Sequence, residues 1–76
     1  MKTFTFWEME LHPDGTIRES GRHWVYQAET LEDALHKALY YARLTYPSAD
    51  IAASRRGIHV ATTPQGVQIG WYYRPD

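Results

Sequence analysis

Four histidines, at positions 12, 23, 36 and 59, are the side chains of this chain best suited to move a proton or hold a metal near neutral pH. His36 lies one helical turn after Glu32 and one before Tyr40, so the three would line a single stripe of a helix. The same helical wheel puts that stripe on the solvent side. His12 precedes a turn proline, while His23 and His59 fall in strand-like runs with no spaced partner. There is no HExxH motif, no paired histidine and no Asp/Glu cluster, and the chain has no cysteine to supply a thiolate, so a zinc site is not expected. Ser20-Gly21 and Ser54 lack the flanking pattern of a nucleophile elbow. The five glycines are scattered through turns rather than gathered into a phosphate loop. With no cleft expected on a single sheet and helix, the chain reads as a non-enzyme without cofactor or metal.

Two other sets of side chains are suited to binding. Arg55-Arg56-Gly57 is the only basic cluster, and with Arg43 and Arg74 it could present phosphate-binding charge while Tyr72 stacks a base. The plainer reading is a solvated connection, and a net charge of −1 gives the whole molecule no pull towards nucleic acid. The aromatic surplus says more: three Trp, six Tyr and two Phe in 76 residues. Phe4, Trp24, Tyr26, Ile69 and Trp71 are expected in the core. Trp7, Met9, Leu11 and Ile17 are hard to place inside so small a core as well, and Tyr40, Tyr41 and Leu44 crowd the margin of the helix. Trp, Tyr and Met are enriched at interface centres, and a contiguous exposed apolar patch marks an interaction site. Trp7, Met9, Leu11, Ile17, Tyr40 and Leu44 are therefore assigned to protein binding. Arg55, Arg56, Tyr72 and Arg74 carry the nucleic-acid alternative. A symmetric homodimer that hides the patch is the other way to satisfy it.

The elements that must position these residues are organised around Ala28 to Pro47, AETLEDALHKALYYARLTYP. Thr30 can cap a helix, with Asp33 three residues on. Leu31, Ala34, Leu35, Ala38, Leu39, Ala42 and Tyr46 fall on one face, and Glu32, Asp33, His36, Lys37, Tyr40 and Arg43 on the other. Pro47 ends the helix near Leu44 to Tyr46. Before it, Lys2 to Leu11 reads as a strand, and His12-Pro13-Asp14-Gly15 as a turn of type I with a glycine bulge. That turn would pair His12 with Thr16 and Leu11 with Ile17. Carried along the ladder, it sets Trp7 opposite Gly21, Phe6 opposite Arg22 and Phe4 opposite Trp24. A conflict of phase follows. Phe4, Phe6, Trp24, Tyr26 and Ala28 share one face, whereas Trp7, Met9, Leu11 and Ile17 occupy the other. Either a bulge around Ser20-Gly21 gathers both sets on one side, or the hairpin is apolar on both; the second is the expectation adopted.

After the helix, Ser48 to Gly57 reads as a connection with a short helical turn at Asp50 to Ser54. Ile58 to Thr62 and Val67 to Tyr73 read as strands joined by Thr63-Pro64-Gln65-Gly66, pairing Val60 with Ile69 and Ile58 with Trp71. The expected fold class is α+β, a ββαββ chain with one helix on an antiparallel sheet of about four strands, forming a single domain over residues 1–76. The absence of cysteine fits a reducing compartment. The N-terminus has no apolar run of the length a signal peptide or membrane span needs, so a cytoplasmic protein is expected. Residues 1–38 carry four basic and seven acidic side chains and residues 39–76 four and two, a mild polarity.

Trp24 to Leu39, WVYQAETLEDALHKAL, resembles the corresponding stretch of small phage-encoded ββαββ proteins, among which are several type I anti-CRISPR proteins. Those proteins share no catalytic or binding motif, so no residue role carries across. The resemblance implies a non-enzymatic inhibitor that occupies a host complex by surface contact, in the cytoplasm of the host cell. A second likeness, over roughly the first 45 residues, is to HicB-like antitoxins. Asp14-Gly15 is similar to their hairpin turn, and Thr30-Leu31-Glu32-Asp33-Ala34 to their helix start. It lacks their proline-glycine segment before the helix and a DNA-binding tail after Tyr73.

Overall fold

Alternation of Phe4, Phe6 and Glu8 with Thr5, Trp7 and Met9 sends successive side chains to opposite sides of an extended chain, which is the condition for a strand with two distinct faces. In the computed structural model, which describes residues 1–51 (Ile51 by its backbone) and 56–75, this segment is β1 (Lys2–Leu11), followed by β2 (Ile17–Ala28), α1 (Leu31–Thr45), β3 (Asp50–Ile51), β4 (Gly57–Thr62) and β5 (Gln68–Tyr73). One helix packs on an antiparallel sheet of four main strands, with the two-residue β3 added at one edge; the spatial order is β2-β1-β5-β4-β3.

The first turn closes as its residues dictate. His12 N donates to Thr16 O and Gly15 N to His12 O, both at 2.9 Å. Asp14 Oδ1 accepts from Thr16 N, and Gly15 takes a φ of 87° that a side chain would oppose. Leu11 then faces Ile17, Glu10 faces Arg18 and Met9 faces Glu19. Beyond this point β2 loops out: Trp7 faces His23, Phe6 faces Trp24 and Phe4 faces Tyr26. The sequence-based register, with Trp7 opposite Gly21, is therefore two residues out over this half of the hairpin. Gly21, at φ 89°, makes the excursion feasible, and Ser20 Oγ accepts from Arg22 N within it. Because the slip is of two residues, side-chain alternation survives it. The bulge and the two-faced hairpin, posed as alternatives, coexist.

Thr30 Oγ1 accepts from Asp33 N at 3.1 Å and starts α1, with Glu32 and Asp33 in the first turn and Arg43 in the last complementing the helix dipole. Ala34, Ala38 and Ala42, one per turn, are fully buried. Small side chains at this spacing let the helix axis lie close to the sheet, where Phe4, Phe6, Ala28, Ile58, Val60 and Trp71 complete the core. Trp24 stacks on Trp71 with centroids 3.9 Å apart. Leu31, Leu39 and Tyr46 border this core rather than enter it.

Two local expectations are corrected. Asp50 and Ile51 do not begin a helical turn; they pair with His59 and Ile58 and cover part of the β4 edge. Residues 52–55 of that connection, Ser54 and Arg55 included, lie outside the described residues. Ile58 faces Trp71 as expected, but Ile69 faces Ala61 instead of Val60, because β4 carries one extra residue between His59 and Ala61. That bulge keeps Val60 in the core.

Candidate functional site

All of α1 lies on one side of the sheet, with Phe4, Phe6, Trp24, Ile58 and Trp71 beneath it. Strand alternation sends Trp7, Met9 and Leu11 of β1, Ile17, His23 and Val25 of β2, His59 of β4 and Tyr72 of β5 to the other side. Among the described residues no element covers that side. Trp7, Met9, Leu11 and Ile17 thus share the helix-free face, with Leu11 40% and Ile17 64% exposed and Trp7 and Met9 half-buried.

Strand order adds residues that the hairpin alone could not reveal. His23, Trp7, Tyr72 and Gly57 stand in one cross-strand row over β2, β1, β5 and β4. The Trp7 and His23 rings lie 4.8 Å apart, and the Arg74 guanidinium sits 4.4 Å above the Trp7 ring while pairing with Glu19. The Tyr72 ring lies flat over two glycines: a Cβ on Gly57 would fall 2.2 Å from its Cδ1, and one on Gly70 2.5 Å from its Cε2. Beside this ring is a shallow groove of about 320 Å³ lined by Met9, Leu11, Ile17, His59, Gln68 and Tyr72, among others. The sequence signal for the glycine seat is Gly70-x-Tyr72 within a strand, since glycine there weakens the strand unless something lies close over it.

The remaining expected residues divide. Tyr40 and Leu44 are 63% and 69% exposed, but they line a different groove with His36, Leu39 and Arg43 on the helix layer. The six residues assigned to protein binding therefore form two surfaces, because α1 docks through its alanine seam on the far side of the sheet from Trp7. Of the basic set, Arg55 lies outside the described residues. Arg56 is exposed, and its carbonyl accepts from Tyr73 N. Arg43 Nε donates to Ala49 O at 3.3 Å, next to the helix. Arg74, held over Trp7 by Glu19, shares a face with Tyr72 but not with Arg43, so the described arginines do not line up as one basic edge.

Among the described residues, Glu8 is the buried charged one, which the alternation hides among apolar neighbours. Its Oε1 accepts from Trp71 Nε1 at 3.2 Å, and Arg22 Nη1 stands 4.0 Å from Oε2. His12 contacts Glu10 at 3.1 Å and His59 contacts Thr62 at 3.3 Å. Among the described residues, no group of three or more His, Cys, Asp or Glu side chains is placed to hold a metal. No described helix is long and apolar enough to cross a membrane.

Tyr26 closes the seam between β2 and α1. Its ring stacks on Tyr41 at 5.6 Å, and its hydroxyl is buried with no hydrogen-bond partner among the described residues. Burial, with Tyr41 adding to it, pushes its pKa from the ordinary 10.0 to about 12. The folded state thus favours the neutral phenol, a contribution fully present below pH 10 and lost as the pH rises towards 12. Tyr26→Phe is expected to leave neutral-pH stability unchanged or raise it by up to ~1 kcal/mol, since an orphaned hydroxyl is removed. It should also flatten the decline above pH 10 in urea unfolding followed by circular dichroism.

No family model, no curated protein and no solved structure matches this chain.

Proposed function

We propose that this domain is a non-enzymatic binding module that docks a protein partner on the helix-free face of its sheet. The observation carrying this reading is that Met9, Leu11, Ile17 and Tyr72 surround an apolar groove on a face no described element covers. Side chains of this kind cluster at the centres of interfaces, where a few anchors supply most of the binding energy. In its finer form, the partner is a multisubunit host defence complex, and the protein a phage or mobile-element inhibitor of the type I anti-CRISPR kind acting in the host cytoplasm. The support for that form is the likeness of Trp24 to Leu39 together with the small ββαββ architecture.

The test uses two exposed positions. Leu11→Lys and Ile17→Lys should each weaken binding to a purified type I surveillance complex by at least about thirtyfold, or ~2 kcal/mol, with the melting temperature nearly unchanged. Expression of the unmodified chain should let phage plaque on cells carrying an active type I system. Undiminished interference would sink the inhibitor reading, and unfolding of both lysine variants would show the patch to be core.

The cross-strand row of His23, Trp7 and Tyr72 favours one second reading, a stacking platform for single-stranded nucleic acid. The neutralisation of Arg74 by Glu19 weighs against it. Binding to oligonucleotides that falls steeply with salt would support this second reading.

A further inference from the structure

The β2 edge of the sheet is distinct from the open face. β2 is the terminal strand of the order β2-β1-β5-β4-β3, so among the described residues no other strand faces the outer backbone groups of its long run. Such edges recruit another strand unless blocked by proline, charge, brevity or a bulge. The bulge at Gly21 protects only the start. From His23 to Gln27 the sequence HWVYQ has no proline and no Lys, Arg, Asp or Glu. We infer that a second copy of this chain adds here, antiparallel, through Arg22–Ala28, to make one continuous sheet.

Three features of the edge point to a copy rather than another strand. The segment begins with a cation, Arg22, and is followed by an anion, Glu29. Antiparallel pairing brings the positive end of each copy to the negative end of the other, while parallel pairing would set like charges together. Centred on Val25, the pairing places Val25 against itself and Trp24 against Tyr26 of the second copy, so no like charges meet. The exposed aromatics of α1 adjoin the same edge as well: Val25, Tyr26, Gln27, Lys37, Tyr40 and Tyr41 line one groove beside it, with Tyr40 edge-on to Tyr41 at 5.2 Å. Closing the edge shelters that groove too. Lys37 Nζ already donates to Gln27 O at 2.5 Å, so it competes with the outermost pairs and leaves the centre free. The two-fold axis of such a dimer stands perpendicular to the sheet. Both helices then lie on one side and both open faces on the other, a layout that would present two docking faces together.

The chain contains no cysteine, so a single introduced thiol reports unambiguously. Residues at the two-fold of an antiparallel pair have Cα atoms about 4.5–5.5 Å apart, within the span a disulfide bridges. Light scattering of the unmodified chain at about 100 µM should give twice the 8.9 kDa monomer mass. Val25→Cys should form a disulfide dimer at least about tenfold faster than Ile17→Cys, whose thiol sits on the same open face but outside the paired segment. Val25→Lys, which opposes two cations at the axis, should be monomeric. A monomeric unmodified chain would overturn the inference. So would Ile17→Cys cross-linking as fast as Val25→Cys, the mark of face-to-face association. If Val25→Lys fails to fold, the cysteine rates decide alone. Mass and cross-linking read the edge, while partner binding reads the face, so either proposal can fail without the other.

Discussion

Trp71→Ala is expected to remove most of the stability of this domain. Trp71 is among the largest fully buried side chains, stacked on Trp24 at 3.9 Å and donating its indole N–H to the buried Glu8 carboxylate at 3.2 Å. Truncating a buried aromatic to alanine removes about 3–5 kcal/mol through lost transfer energy and a residual cavity. A domain of this length has roughly 4–11 kcal/mol in total. A second effect has the same sign. Glu8 would stay beneath the helix with Arg22, 4.0 Å away and half in water, as the nearest compensating group. The expected thermal midpoint falls by at least about 12 °C, and a transition already under way at ambient temperature would be no surprise. Differential scanning calorimetry or a circular-dichroism melt measures it. A midpoint within a few degrees of the unmodified protein would mean that the Trp24–Trp71 stack is not the centre of the core.

Ala38→Phe tests the opposite failure, too much volume. Ala34, Ala38 and Ala42 have no exposed surface and stand one per turn along the helix face that meets the sheet. Close packing there leaves no room for a ring without lifting the helix or driving neighbours from their rotamers. Overpacking typically costs 1–3 kcal/mol, and a phenyl group at the centre of the seam belongs at the upper end, about 3 kcal/mol. Urea unfolding should show a lower midpoint, with the slope kept if the fold is retained. The control is Tyr40→Phe on the exposed side of the same helix, which should stay within about 0.5 kcal/mol. Equal tolerance at both positions would contradict the description of how α1 docks.

The two variants bear on the candidate site indirectly. Both act on the helix side of the sheet, whereas Leu11 and Ile17 lie on the other. Loss of partner binding in lysine variants that melt normally would therefore separate a surface effect from damage to the core. The thin stability margin of so short a chain makes that control necessary.

By itself the sequence determined what depends on near neighbours along the chain. Thr30 and Pro47 bound the helix, the alanines and Leu35 mark its inner face, and Pro13-Asp14-Gly15 makes the hairpin turn. Period-two alternation alone separates Phe4, Phe6 and Trp24 from Trp7, Met9 and Leu11, and this separation outlived a register error because a slip of two residues keeps every side chain on its face. Tertiary structure decided what depends on which distant strands become neighbours. The ladder between β1 and β5 sets Tyr72 beside Trp7 and Arg74 over its ring, while the β4 strand supplies Gly57 as part of the seat for Tyr72. The docking side of α1 puts Tyr40 and Leu44 on a surface of their own, and the strand order makes β2 an edge. Turns and helices are written in contacts a few residues apart, but pairing across a sheet is chosen by the burial of the whole core, which no local window of the chain contains.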